Sequence, residues 1–180
     1  EQRDGDLSIF IYSEKCVYDR QWSEITELAR GLVLDTKAEE VVATPWRKFF
    51  NHGERNPAFP NLPFEVFSKY DGSLCIIFHH DDRWRCATKG SFKSTQAVIG
   101  EALVSEFSDK LVPGDTYLFE LIGPSNRIVI PYEKDELVLL SAYTRHGGEL
   151  SYPLLQVFSD ITGCRLAQRY ECTSFLDLIE

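Results

Sequence analysis

Short apolar runs separated by turn residues limit how this chain can fold. Stretches 7–12, 28–34, 41–44, 64–68, 74–79, 83–88, 117–122, 128–130 and 137–143 are rich in β-branched or aromatic residues and read as strands. Asn56-Pro57, Asn61-Leu62-Pro63, Asp81-Asp82 and Pro113-Gly114-Asp115 are turn signals between them. Helical spacing is clear over 94–107, where Val98, Ile99, Ala102, Leu103 and Phe107 recur and Ser94 or Thr95 can cap the start. A second helix is predicted over 153–162, with Gly163 as its stop. A third is predicted from Thr173 or Ser174 to the chain end. Antiparallel sheets with a few helices packed on them, an α+β fold, follow from this pattern.

The 180 residues suffice for one domain with a real core, and a single domain over 1–180 is expected. No apolar run approaches the ~20 residues of a membrane span, so no membrane association is expected. The polar N-terminus carries no signal-peptide pattern. The chain has no methionine, and we expect it to be cut from a longer chain or processed. A net charge of −9 argues against broad non-specific nucleic-acid binding but leaves room for a local basic groove. The cysteines Cys16, Cys75, Cys86, Cys164 and Cys172 are scattered, without a C-x-x-C pair. No zinc site is expected, and a reducing, cytoplasmic setting is.

The residues that carry chemistry cluster at the edges of these runs. In Lys69-Tyr70-Asp71-Gly72-Ser73, a lysine leaves one apolar run just before another begins. A lysine held there and stripped of its proton, by burial or by nearby cations, is a nucleophile. Arg30, Lys48 and Lys89 are candidate cations. Asp71 and Glu120 could offset charge or hold a divalent metal through oxygen. The same Asp-Gly also suits a solvated hairpin turn. Thr88-Lys89-Gly90-Ser91 offers a lysine and backbone N–H groups to a phosphate, without the P-loop pattern, and also reads as an ordinary turn. Phe49-Phe50, after Pro45-Trp46, read first as core. Glu120 sits inside an apolar strand, where a carboxylate is costly unless paired or used, which favours a functional role. His79-His80 beside Asp81-Asp82 reads as a solvated strand end.

Taken in order, Ala29-Arg30-Gly31, Lys48-Phe49-Phe50-Asn51, Lys69-Tyr70-Asp71-Gly72-Ser73 and Thr88-Lys89-Gly90-Ser91 resemble the RNA ligases of the phage T4 RNA ligase 1 type. Phe119-Glu120, Pro124, Asn126-Arg127-Ile128-Val129, Tyr132 and 137–145 continue the match. K-x-D-G is shared by the wider covalent nucleotidyltransferases, including DNA ligases and capping enzymes. The resemblance implies an antiparallel-sheet-rich nucleotidyltransferase domain, ATP-grasp-like, with ATP and Mg2+ or Mn2+ as cofactors. It implies that Lys69 becomes a lysyl-AMP, that AMP passes to an RNA 5′-phosphate, and that a 3′-hydroxyl then seals the strand, with tRNA among the candidate substrates. Arg30, Lys48, Phe50, Asp71, Gly72, Lys89 and Glu120 would bind the nucleotide. Glu120 would meet the ribose or a metal-bound water, and 137–143 would pack against adenine. Two further motifs of the family, an acidic-glycine strand and a lysine pair, are missing, and 174–180 reads like the helix before the first. The resemblance thus implies a truncated or degenerate relative with weak or no ligation as it stands. A non-catalytic nucleotide- or RNA-end-binding module, and another covalent nucleotidyltransferase, are the alternatives.

Overall fold

The computed structural model describes residues 1–54, 62–172 and 174. The chain opens with a hairpin, β1 (Gln2–Asp4) and β2 (Leu7–Ile11), and two short helices, α1 (Glu14–Tyr18) and α2 (Glu24–Leu28). Ser13 and Ser23 cap these helices by accepting the N–H groups of Cys16 and Thr26. β3 (Arg30–Asp35) and β4 (Glu40–Ala43) complete an antiparallel sheet in the order β1-β2-β3-β4. There follow β5 (Val66–Phe67), β6 (Ser73–His80), β7 (Arg83–Ala87), α3 (Thr95–Val104), β8 (Thr116–Ile122), β9 (Glu136–Tyr143), α4 (Tyr152–Thr162), β10 (Arg165–Leu166) and β11 (Arg169–Tyr170). They build a five-stranded sheet, β10-β9-β8-β6-β7, and a small β11-β5 ladder.

Strand β6 explains the layering. Cys75, Ile76, Ile77 and Phe78 are all fully buried, so both faces of the strand are covered and its sequence reads as one apolar run. Cys75 and Ile77 join Phe119, Leu121 and Leu139 on the face that meets Ala97, Val104 and Leu155 of the helices. Ile76, Phe78, Ala87 and Leu118 face Leu7, Ile9, Val33 and Ala43 of the other sheet. The result is three layers, helices on sheet on sheet, each buried Ile or Phe contributing roughly 1.5–3 kcal/mol.

The α+β expectation holds, with one parallel pair added. β10 runs beside β9 in the register Arg165↔Val138, reached by the crossover of α4. The predicted helix over 94–107 is α3, whose first turn Ser94 caps at 3.2 Å through the Ala97 N–H. Gly163 stops α4 in the left-handed region, φ 76°. Asp81 and Asp82 turn the β6–β7 hairpin with φ of 50° and 57°, as a type I′ turn requires. The strand predicted over 28–34 begins only at Arg30, because Leu28 completes α2.

The run 128–130 is not a strand. The amides of Val129 and Ile130 donate instead to the Asp71 carboxylate, at 2.7 and 2.8 Å, and all three side chains are exposed. Asn56-Pro57, Asn61 and, apart from Ser174, the helix predicted from 173 onward lie outside the described residues. Among the described residues no helix is long and apolar enough to cross a membrane.

Candidate active site

A cleft of about 1570 Å³ opens where the two sheets part. Arg30, Lys48, Lys69, Gly72, Lys89 and Glu120 line it. Arg30 begins β3, Lys48 lies on the segment after β4, Lys69 and Gly72 lie between β5 and β6, Lys89 follows β7, and Glu120 belongs to β8. Segments far apart in the chain thus bring these four cations and Glu120 to the same wall, which Arg47, Glu65 and Glu149 also line.

Strand period places Glu120. Leu118 faces the four-stranded sheet while Phe119 and Leu121 face the helices, so Glu120 shares the side of Leu118. Two residues beyond Leu118 the opposing apolar side chains end, and Arg30 and Lys69 stand there instead. Burial pushes the Glu120 carboxyl up to about 7, and the charge of Lys69, the Gly72 amide and Arg30 oppose the rise.

The lysine is exposed at the cleft, but its neighbours are held. The Ser68 N–H donates to the Gln168 carbonyl at 2.9 Å, and its hydroxyl lies 3.0 Å from that of Tyr170. Tyr70 is buried, with the Arg165 guanidinium 5.1 Å from its ring centre. Asp71-Gly72 does not form a hairpin turn, because β5 and β6 belong to different sheets. It is a bend that hands the chain from one sheet to the other.

Asp71 points away from the cleft wall and anchors 128–130, and these two amides hold its carboxyl below the usual aspartate value. Gly72 has a specific packing reason. A Cβ there would meet the Leu121 carbonyl oxygen at 2.2 Å and the Glu120 Cγ at 3.0 Å.

Arg30 is half-buried, and burial disfavours its charge while Tyr12 and Glu120 support it. Its guanidinium sits 4.7 Å from the centre of the Phe49 ring, and its Nη1 is buried without a hydrogen-bond partner among the described residues. An unpaired buried donor facing a cleft is a ready anion contact. The Lys48 ammonium lies 4.4 Å from the Phe50 ring centre and 5.5 Å from that of Trp22, and it donates to the Phe49 carbonyl. Lys89 extends over Tyr12, 5.7 Å from the ring centre. The Lys89 backbone also approaches Gly31, whose φ of 106° and crowded Cβ position admit only glycine.

A family model for RNA ligases, of the T4 RNA ligase 1 type, matches residues 28–176. The chain belongs to this RNA ligase family. It is 26% identical over 183 aligned positions to an RNA ligase of Rhodothermus phage RM378, covering 76% of this chain and 41% of that protein. It is 34% identical over 122 positions to a Thermovibrio ammonificans protein provisionally named an RNA ligase, covering 61% of this chain and 32% of that protein. The chain therefore spans less than half the length of these relatives. Its fold is shared with an Aquifex aeolicus structure provisionally named an ATP-dependent DNA ligase. The TM-score is 0.55 at 16% identity, over 82% of this chain and 42% of that one.

Within this member of the RNA ligase family, two expected nucleotide contacts fall outside the cleft wall. Asp71 is one. Phe50 is the other: its ring packs edge-on against Trp22, 5.4 Å between centres, and Trp22 packs likewise against Tyr12. The neighbouring Phe49 lines the cleft instead. Leu140 and Tyr143 also line it, on the strand expected to meet adenine. Trp46, Glu149 and Tyr152 join the wall with no local signal that could have found them. Among the described residues no group of three or more His, Cys, Asp or Glu is placed to hold a metal ion.

Proposed function

We propose that this chain is the nucleotidyltransferase domain of an ATP-dependent RNA ligase, with Lys69 as the nucleophile. The observation that carries this reading is the convergence of Lys69, Arg30, Lys48, Lys89 and Glu120 on one cleft of a chain that belongs to the RNA ligase family. The neutral Lys69 amine attacks the α-phosphorus of ATP, the bond to the β-phosphate oxygen breaks, and pyrophosphate leaves. The lysyl-AMP then passes AMP to the 5′-phosphate of an RNA. A 3′-hydroxyl displaces AMP and seals the strand, with broken tRNA as one candidate substrate. Each step is a transfer at phosphorus, so the protein mainly positions groups and neutralises charge.

Arg30, Lys48 and Lys89 supply positive charge to the phosphates. Glu120 takes the ribose hydroxyls or a metal-bound water. A single carboxylate suits Mg2+ or Mn2+, since such ions keep several waters and take their other oxygens from the phosphates. The bound metal would neutralise phosphate charge. Leu140 and Tyr143 provide an apolar wall for the base. The free cysteines support a reducing, cytoplasmic setting.

Intact mass after incubation with ATP and Mg2+ tests this reading. A gain of one AMP, absent in Lys69→Ala, is the expected result. Binding of ATP without an adduct would instead make the chain a nucleotide-binding module. Labelling from GTP or NAD in place of ATP would assign it to another covalent nucleotidyltransferase class.

A further inference from the structure

The segment 44–50 crosses the mouth of the cleft without regular secondary structure, and Trp46, Arg47, Lys48 and Phe49 all contribute to the wall. It is fastened at three points. The Thr44 N–H donates to Thr116 Oγ1 at 3.2 Å, and the Lys48 N–H donates to the Glu27 carbonyl at 2.8 Å. Between them, the indole N–H of Trp46 donates to Glu149 Oε1 at 2.9 Å. The same oxygen accepts the Ser141 hydroxyl at 2.6 Å. Glu149 is itself tied to β9 by a backbone bridge to Tyr143. Glu149 thus joins the strap to two positions on the strand that lines the base side of the cleft, Ser141 through its carboxylate and Tyr143 through its backbone.

This placement is unexpected on electrostatic grounds. A free carboxylate in a cleft built for a polyphosphate would repel it. One oxygen of Glu149 instead accepts from two donors, the Trp46 indole and the Ser141 hydroxyl. The strap it holds carries Phe49, on which the Arg30 guanidinium rests, so the seat of the strap sets the direction of that half-buried cation.

We propose that Glu149 is a positioning residue for nucleotide transfer: through Trp46 it seats the strap 44–50, so that Lys48 and Phe49 hold their places beside Arg30 across the cleft. This rests on the reading of the cleft as an ATP site.

The test uses the 180-residue chain with ATP and Mg2+. Equilibrium affinity is read by calorimetry on a Lys69→Ala background, and AMP labelling is followed with Lys69 intact. Glu149→Ala and Trp46→Phe are each expected to weaken ATP binding about tenfold, the scale of one hydrogen bond to a charged acceptor. The double variant should be no worse than either single one, because both remove the same link. Glu149→Gln retains an acceptor for the indole and should recover most of the affinity. In labelling, the apparent KM for ATP should rise more than the saturated rate falls. Without ATP, trypsin should cut faster after Arg47 or Lys48 in both single variants.

Unchanged ATP affinity in Glu149→Ala and Trp46→Phe, additive losses in the double variant, or a Gln variant as weak as the Ala variant would each overturn the proposal. The two readings fail separately. Wild-type chain that binds ATP without a Lys69 adduct sinks the transfer reading, while the affinities still decide the role of Glu149. Wild-type labelling in Glu149→Ala sinks the positioning role and leaves the transfer reading intact.

Discussion

A Cβ on Gly72 would stand 2.2 Å from the carbonyl oxygen of Leu121. Strand β8 can therefore lie against the bend that follows Lys69 only because residue 72 has no side chain. The backbone of a central strand cannot retreat from such a clash, so the bend itself would have to move. Gly72→Ala is expected to lower stability by about 3 kcal/mol, read as a lower urea midpoint. Lys69 labelling by ATP should be lost with it, even under conditions where the variant is folded.

Asp71 makes the loop 128–130 sensitive to acid. Its carboxyl is held below the ordinary aspartate value of 3.8 by the Ile130 amide and then the Val129 amide. A folded value below the unfolded one means that the contribution is complete above the ordinary value and fades as pH falls through the folded value. Amide hydrogen exchange at Val129 and Ile130, corrected for intrinsic rates, should therefore lose protection below the usual aspartate range. In Asp71→Ala the protection should be absent at neutral pH as well. Equal protection in the variant at neutral pH would show that the loop is held by something else.

Arg30 places a half-buried cation in the cleft with its Nη1 buried and unpartnered among the described residues, which stability alone does not explain. Arg30→Met keeps the bulk of the side chain and removes the charge. Its melting temperature should equal or exceed that of the wild type, while lysyl-AMP formation falls by about a hundredfold, the usual scale for losing one preorganised charge donor. Arg30→Lys should not restore the rate, because an ammonium offers no planar face to Phe49 and no forked donor to a phosphate. A variant that melts lower and labels normally would make Arg30 a structural residue.

Residue type and spacing exposed much of the fold in advance, and the exceptions have physical causes. β6 and β8 were readable because strands buried on both faces must be apolar throughout. The helices α1 and α2 were not, since five residues cannot show a 3.6-residue period, and their signal reduces to the caps Ser13 and Ser23. The apolar run 128–130 looks like a strand because composition does not say where its amides will find acceptors. They find the Asp71 carboxylate, 58 and 59 residues earlier in the chain. Asp71-Gly72 reads equally well as a hairpin turn until the two flanking strands are seen in different sheets.

The sequence by itself determined the central strands, the family and most of the cleft's charged residues, Lys69, Arg30, Lys48, Lys89 and Glu120. Each of these follows from residue type at a short spacing. Tertiary structure alone decided that Phe49 rather than Phe50 faces the cleft, that Gly72 answers to Leu121, and that Trp46 reaches Glu149 across 103 residues. Those contacts depend on where two stacked sheets diverge. That divergence is set by the packing of both cores together, which no local stretch of sequence encodes.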